Sequence, residues 1–208
     1  MPPVAQKARS NTAEQILDLT ESLIQSRGYS SISYQDISDA LGLTKASIHY
    51  HFPGKADLGI AVVDRYVERF AAALEDISRD QNRSSLELLD FYAEPYLKLA
   101  DTPDKVCLSG ALAGEMMALP PEMRQRIDRF FKAHQAWLTR IFHRGAERGD
   151  IALAATPAET ARLVFGALQG ALLVKRTTGD AAQLHDVLKV IKAQLDVKAA
   201  SGRSPPTP

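Results

Sequence analysis

A short segment in the first quarter of the chain carries side chains that suit nucleic acid. Between Leu41 and Lys55 there is no aspartate or glutamate. Its basic and hydrogen-bonding groups can donate to phosphate oxygens or meet base edges in a major groove. These groups are Lys45, Ser47, His49, Tyr50 and Lys55. The segment can bind DNA only if one face of a helix presents them together.

Two short helices joined by a glycine turn are predicted to position this segment. Ser33 and Asp36 form a capping box for the first helix. Thr44 is the N-cap of the second, which runs to about His51. Gly42 supplies the turn, and the result is a helix-turn-helix whose second helix fits a major groove. The apolar residues assigned to the core of this small domain are Ile37, Ile48 and Phe52.

The composition gives the whole chain no basic field. Lys and Arg together number 25 and Asp and Glu together number 25, so DNA binding must come from a local patch. The one cysteine, Cys107, excludes an intramolecular disulfide and a cysteine-based zinc cage. The sequence has neither the start of a signal peptide nor an apolar run long enough to span a bilayer. We therefore expect a cytoplasmic protein without membrane contact.

Apolar residues recur at helical spacing along nearly the whole chain, and no segment alternates in the manner of a strand. This periodicity predicts an all-α fold of about nine helices. The first helix is expected to begin near Thr12, where Thr12 and Gln15 could form a capping box. Another helix is expected from about Val106 to Ala118.

Four motif segments of the N-terminal region together resemble the DNA-binding domain of the TetR family. They are Gly28–Tyr29, Ser33–Ile37, Ala40–Ile48 and His49–Leu58. The resemblance implies a homodimeric transcriptional regulator, usually a repressor that leaves a palindromic operator when a small-molecule effector binds. It divides the chain into a DNA-binding domain at 1–54 and an effector-binding and dimerisation domain at 55–198. Residues 199–208, rich in proline, are predicted to be a disordered tail.

The resemblance also implies which residues contact double-stranded operator DNA. The expected contacts are Ser33, Thr44, Lys45, Ser47, His49, Tyr50 and Lys55. Thr44 and Lys55 would meet phosphates. Lys45 and Ser47 would read or flank bases, and Tyr50 would also face the DNA.

His49 departs from the family pattern, which usually has a tyrosine in the middle of the third helix. Histidine is the side chain that titrates near neutral pH. One alternative is therefore a DNA affinity that depends on pH. The other is a neutral imidazole that replaces the tyrosine as a hydrogen-bonding group.

By the same resemblance an effector pocket lies in the C-terminal helices. The residues assigned to it are Tyr92, Tyr96, Cys107, Met116, Phe131 and His134. His134 lies on an apolar face of its predicted helix, so it is either a hydrogen-bonded core histidine or a contact to the effector.

Cys107 has a second possible role. Val106–Gly110, together with Glu115–Pro120 and Glu122–Arg124, is similar to a TetR subgroup that responds to electrophiles or oxidants. That subgroup includes the N-ethylmaleimide reductase repressor and an acrylate-responsive repressor. A helix N-terminus would favour the Cys107 thiolate, and Lys105 or Lys175 would favour it further if close. The alternatives are a thiol sensor, an inert core cysteine and a reversible pocket.

The last two predicted helices have the composition of a dimer interface. Small residues that allow close helix approach are Gly166, Ala167, Gly170 and Ala171. The apolar seam of the final helix is Leu184, Val187, Leu188, Ile191 and Leu195. Two helices from each subunit would form a two-fold four-helix bundle. The alternative is burial within one subunit.

A small all-α enzyme is the rival class, and the motifs do not support it. The five histidines lack metal-ligand spacing, and no nucleophile elbow, Walker loop or dinucleotide fingerprint occurs. We therefore predict no catalytic residue, no metal site and no cofactor.

Overall fold

The computed structural model describes the backbone of residues 4–196 and the side chains of residues 11–196. Over this range the chain forms nine α-helices and one 3-10 helix at Met116–Ala118, and no strand. The predicted all-α fold is therefore confirmed. The α-helices are α1 Val4–Arg27, α2 Tyr34–Leu41, α3 Lys45–His51, α4 Lys55–Ser78, α5 Ser85–Ala100, α6 Leu108–Gly114, α7 Pro121–Arg148, α8 Pro157–Thr178 and α9 Ala182–Leu195.

The caps that frame α2 and α3 have the predicted residues. Ser33 is extended at φ −136° and its side chain accepts from the Asp36 N–H, which closes a capping box at the start of α2. Gly42 ends that helix in the left-handed region at φ 64°. Thr44 Oγ1 accepts from the Ser47 N–H at 3.1 Å and so begins α3.

Two predicted helix boundaries are wrong. The first helix begins at Val4 rather than near Thr12, because the preceding Ala5–Ser10 is rich in good helix formers and allows the helix to extend upstream. The predicted helix from Val106 to Ala118 is divided into α6 and the 3-10 helix. Gly114 ends α6, consistent with the low helix propensity of glycine.

The chain divides into two compact units. Unit 1 contains the residues up to Phe70 and Leu108–Arg129, and unit 2 contains Ala71–Cys107 and the residues from Phe130 onward. The helices α4 and α7 contribute residues to both units. The predicted functional boundary after residue 54 stays a prediction, and the predicted tail at 199–208 lies outside the described residues.

Unit 1 buries the apolar faces of its helices around the helix-turn-helix. Its fully buried side chains include Ile16, Ile24, Ile37, Ile48, Leu58, Leu112 and Met123. Charged side chains support the same packing, because Arg65 of α4 pairs with Glu14 at 2.9 Å and with Asp18 at 2.8 Å on α1. Arg69 adds a 2.7 Å pair to Glu21 of α1. The α2–α3 motif therefore rests on a fixed helical base.

Unit 2 is built from α5, α8, α9, most of α7 and the end of α4. Ser85 Oγ donates to the Ile141 carbonyl at 2.7 Å, where α5 crosses α7 beside Gly145. Its fully buried side chains include Leu88, Leu89, Leu138, Phe142, Leu168, Leu172 and Leu184. Across the described part of the chain, none of the helices is long and apolar enough to cross a membrane.

Candidate DNA-binding and effector sites

The helix α3 is anchored on one side and open on the other. Ile48 is fully buried and fixes the helix in unit 1. Lys45 and His49 are exposed, Tyr50 is 65% exposed, and Ser47 is half-buried. The predicted base-reading side chains are therefore available on the surface of one short helix, as a recognition helix requires.

His49 has one of its ring nitrogens fixed by the backbone. Its Nδ1 lies 3.0 Å from the Pro53 carbonyl oxygen, and a carbonyl can only accept, so Nδ1 carries the proton. Its ring centroid lies 4.6 Å from that of Tyr34 on α2. The other ring nitrogen, Nε2, is then the acceptor of the neutral ring. Both sequence alternatives for His49 remain open.

Lys55 is less free than the sequence suggests. Its Nζ donates to the Ser30 carbonyl at 3.1 Å and lies 4.7 Å from the centre of the Tyr29 ring. Burial lowers the pKa of Lys55, and the carboxylate of Glu115 opposes that shift. The ammonium thus has partners within unit 1 before DNA approaches, and its predicted phosphate contact stays a prediction.

Glu115, which follows α6, is a residue that the sequence reasoning missed. Its Oε2 accepts from the Ser30 N–H at 2.8 Å. A Cβ on Gly28 would lie only 2.1 Å from Glu115 Oε1, too close for two non-bonded atoms. Gly28 is also left-handed at φ 84°. Because 85 positions separate Glu115 from Ser30, no periodic pattern could have linked them.

Aromatic side chains of unit 2 surround a buried hydrogen bond. Tyr92 Oη and His134 Nδ1 are 2.9 Å apart, and the Tyr92 ring stacks on Trp137 with centroids 5.5 Å apart. Burial raises the pKa of Tyr92 and lowers the pKa of His134 to about 4, so both are neutral at pH 7. His134 has the environment of a core histidine, and its contact to an effector stays a prediction.

Gln169 of α8 connects this group to the cysteine. Its Nε2 donates to Tyr96 Oη at 3.1 Å and lies 3.5 Å from Cys107 Sγ. The Tyr96 and Tyr92 ring centroids are 5.8 Å apart. We call the five residues Tyr92, Tyr96, Cys107, His134 and Gln169 the buried cluster. Gln169 was not predicted, because a single glutamine within a helix carries no motif.

The other predicted sensor residues have different surroundings. Phe131 is half-buried with its ring centroid 5.0 Å from that of Phe165 in unit 2. Met116 is half-buried on the 3-10 helix, which belongs to unit 1. Lys175 is 4% exposed and its ammonium donates to the carbonyls of Leu99 at 3.1 Å and of Thr102, so it caps the end of α5.

Cys107 itself lies directly before α6 and is 3% exposed. Its position just before a helix is close to the predicted one, but the helix it precedes is short. Among the described side chains, no group of three or more histidine, cysteine or acidic residues is placed to hold a metal ion.

The predicted apolar seam of α9 does not face a partner, and this prediction is wrong. Four of its residues, Leu184, Leu188, Ile191 and Leu195, are at most 7% exposed because α9 packs against α5 and α8 of its own chain. Apolar side chains are instead exposed on α8 and at one position of α9. They are Leu163 at 62%, Leu173 at 49%, Val174 at 43% and Val190 at 55%. A Cβ on Gly166 or Gly170 would meet nothing within 4 Å.

Comparison with known proteins identifies the family. Residues 16–62 match the domain described as bacterial regulatory proteins, tetR family. Residues 86–191 match the tetracyclin repressor-like C-terminal domain. The chain belongs to the TetR family.

Individual relatives agree over most of the chain. The crystal structure of a TetR-family regulator from Agrobacterium tumefaciens has a TM-score of 0.85 and 30% identity, and covers 91% of this chain and 100% of its own. An uncharacterised HTH-type transcriptional regulator of Lactococcus lactis subsp. lactis is 28% identical over 89% of this chain and 94% of its own length. The HTH-type transcriptional repressor NemR of Escherichia coli (strain K12) is 20% identical over 88% and 92%.

Membership of the TetR family settles the class of activity. The relatives are transcriptional regulators and repressors rather than enzymes, as the sequence predicted. The chain is accordingly a DNA-binding transcriptional regulator of the repressor type. Regulators of the TetR family bind operator DNA, form dimers and respond to small-molecule effectors.

Proposed function

We propose that this chain is a homodimeric repressor that places the α3 of each protomer in successive major grooves of a palindromic operator. The surface of α3 carries the proposal: Ile48 is buried, while Lys45 and Tyr50 are open to solvent. The two α3 helices must lie about 34–36 Å apart to contact both half-sites. Since bacterial operator DNA lies in the cytoplasm, the repressor acts in that compartment.

Within each half-site, the proposed contacts follow the hydrogen-bonding capacity of each side chain. Lys45 and Ser47 read or flank bases, with Tyr50 beside them. Thr44 accepts the Ser47 N–H and keeps its hydroxyl proton for a phosphate, as does the ammonium of Lys55 with its remaining donors. Ser33 differs, because its hydroxyl also donates to Asp36 at 2.5 Å, so it acts by fixing the start of α2.

The dimer forms through α8 and α9, using the apolar residues left exposed there. Leu163, Gly166, Gly170 and Leu173 recur at helical spacing along one face of α8, with Val190 on the neighbouring α9. The two glycines leave open space, which lets a second helix approach closely. A two-fold axis through this face pairs α8 and α9 with their copies in a four-helix arrangement.

The effector acts at the buried cluster and the aromatic side chains around it, among them Phe131. His134 is neutral there, so a small uncharged molecule with an apolar or aromatic body and one hydrogen-bonding group suits the chemistry. It would insert by exchanging its own polar group for the Gln169 or Tyr92 hydrogen bond. The part of Met116 in this site is an expectation from the family alone.

Release follows from linkage between the two ligands. An effector lowers DNA affinity only to the extent that it prefers a packing of the helices that DNA does not. The helices α4 and α7 contribute residues to both units and are the covalent path for such a change.

Modification of the Cys107 thiol is the second candidate for the signal. The observation that favours it is the Gln169 amide 3.5 Å from Sγ, because modification of the thiol would break this contact between Cys107 and α8. Cys107→Ser preserves size and tests it directly. If an electrophile such as N-ethylmaleimide releases DNA from the wild type but not from the serine variant, the thiol is the sensor. Equal release from both proteins would eliminate this candidate.

The experiment for DNA binding is a mobility-shift titration with DNA upstream of the chain's own gene, followed by selection of bound duplexes from random-sequence DNA. Specific binding that weakens steeply with salt is expected. Failure of the full-length chain to enrich any duplex in the selection would refute the proposal.

A further inference from the structure

The turn between α1 and α2 is held from two sides by charged side chains. On one side the Glu115 carboxylate accepts from the Ser30 N–H at 2.8 Å. On the other the Lys55 ammonium donates to the Ser30 carbonyl at 3.1 Å. We call Glu115, Ser30 and Lys55 the Ser30 clamp. The exposed serine at its centre contributes only its backbone groups to these two bonds.

The local backbone is shaped to admit the carboxylate. Gly28 is left-handed at φ 84°, and any side chain there would lie against Glu115 Oε1. The Tyr29 ring lies under the Lys55 ammonium at 4.7 Å, a distance at which ring and cation attract. Three consecutive residues of the turn therefore meet Glu115 or Lys55.

The negative charge of Glu115 is unfavourable for DNA binding, so electrostatics alone does not explain a carboxylate at this position. A carboxylate in a DNA-binding unit repels phosphates, so on electrostatic grounds alone its removal should strengthen DNA binding. The same carboxylate opposes the lowering of the Lys55 pKa that burial causes. Lys55 is the cation that the proposed function assigns to a phosphate.

We propose that Glu115 is a positioning residue for operator binding, acting through the Ser30 backbone on Lys55. With the carboxylate in place, the turn is fixed and the Lys55 ammonium is held where a phosphate oxygen can join its remaining donors. Without the carboxylate, the Ser30 backbone is free to move, and the carbonyl that holds the Lys55 ammonium moves with it. This inference rests on the proposed function.

The position of Glu115 in the sequence gives the clamp a further consequence. Glu115 directly follows α6, and α6 begins at the residue after Cys107 of the buried cluster. A change of packing at Cys107 is thereby covalently connected to the carboxylate that holds Ser30. Opening of the clamp is a change that would lower DNA affinity without any contact between effector and DNA.

The test compares full-length variants on one duplex recovered by the wild type from random-sequence DNA. Glu115→Ala removes the acceptor, and Glu115→Gln keeps an acceptor oxygen without the charge. Glu68→Ala is the matched control, because it removes an exposed carboxylate of unit 1 from the interior of α4. Operator affinity is measured by fluorescence anisotropy over a range of salt concentrations.

The expected result is an affinity about tenfold lower for Glu115→Ala, with Glu115→Gln closer to the wild type. Glu68→Ala should bind as tightly as the wild type or more tightly. The salt slope of Glu115→Ala should fall by about one, as it does when one phosphate contact is lost. In a Lys55→Ala background, Glu115→Ala should then cost little more, because the two residues act as one unit.

Two further measurements keep structural damage apart from positioning. Exchange of the Ser30 amide proton, followed by NMR, should accelerate in Glu115→Ala while the thermal unfolding midpoint stays close to that of the wild type. Equal or tighter operator binding by Glu115→Ala overturns the inference, and so does a loss fully additive with Lys55→Ala. If the wild type enriches no duplex, the proposed function fails instead, and the two failures remain distinct.

Discussion

The ammonium of Lys55 is shared between the backbone of its own protein and any phosphate that approaches it. Burial lowers its pKa, so its charge is lost at a lower pH than that of an ordinary lysine. Because only the protonated form attracts phosphate, the contribution of Lys55 to DNA binding weakens as the pH rises through the lowered pKa. Arginine at this position would stay charged throughout.

Alanine substitutions of Lys55 and Lys45 are expected to affect DNA binding in different ways. Lys55→Ala should weaken binding to operator and random DNA alike and reduce the salt slope by about one, since it removes a phosphate contact. Lys45→Ala should also reduce the preference for operator, by about 1–3 kcal/mol, since it removes a base contact. Competition titrations with both DNAs measure the two effects. Equal losses on both DNAs for Lys45→Ala would refute its assignment to bases.

His49 is expected to contribute a hydrogen bond to operator binding. The Pro53 carbonyl holds the Nδ1 proton, which leaves Nε2 as the ring nitrogen for a group of the operator. His49→Ala removes that nitrogen and should weaken operator binding by about 0.5–1.5 kcal/mol. Fluorescence anisotropy with the operator duplex measures the change.

Matched variants separate the loss of this hydrogen bond from a general effect of changing a histidine. His49→Tyr keeps a hydrogen-bonding group at this position and should bind more tightly than His49→Ala. His143→Ala, which changes an exposed histidine of unit 2, should bind as tightly as the wild type. An unchanged operator affinity of His49→Ala would show that His49 makes no contact to the operator.

The crossing of α5 and α7 shows how closely two elements of unit 2 approach. A Cβ on Gly145 would lie 2.1 Å from Ser85 Oγ and 2.7 Å from Ser85 Cβ. We expect Gly145→Ala to lower the free energy of unfolding by about 1–3 kcal/mol, because the helices must separate to admit the methyl group. Urea denaturation measures the change. Adding Ser85→Gly should recover part of the lost free energy of unfolding, because it removes the side chain that the new methyl group meets. Full additivity of the two changes would show that the methyl group does not clash with Ser85.

At the scale of elements, local sequence patterns predicted the helix caps, but contacts between residues distant in the sequence were not predicted. The capping box of Ser33 and Asp36 is a local hydrogen-bond pattern, so the start of α2 could be read from four residues. The upstream extension of α1 to Val4 depends on the weak helix propensities of the residues before Thr12. Threonine favours N-caps, so the sequence predicted a helix start at Thr12, where the helix in fact continues. The Glu115–Ser30 bond is non-local, and no sequence period reports it.

The prediction for the apolar seam of α9 failed because periodicity, too, reports only the local sequence. Helical spacing identifies a face that will be buried, but it does not say whether the chain or a second copy covers it. In the structure Leu184 and Leu188 are covered by the chain itself. The exposed Leu173 of α8 and Val190 of α9 were not among the residues that helical spacing assigned to the interface.

At the scale of the whole molecule, a palindromic operator requires two copies held at a fixed separation. One α3 contacts one half-site, so a monomer would bind the operator with the affinity of a single half-site. Joining two copies makes the second contact intramolecular and raises the overall affinity about 100-fold or more. The dimer face on α8 is therefore as important for repression as the residues of α3.

Leu173→Glu tests this dependence. A charge at a residue 49% exposed in the single chain should leave the fold intact, yet burying that charge in an apolar interface is costly, so the variant should be monomeric. Sedimentation velocity measures the mass, and Met117→Glu, at a side chain 89% exposed on the 3-10 helix, is the charge-matched control that should remain dimeric. Affinity for the full palindrome should fall about 100-fold, to the value for one half-site. A Leu173→Glu variant that remains dimeric would move the interface away from α8.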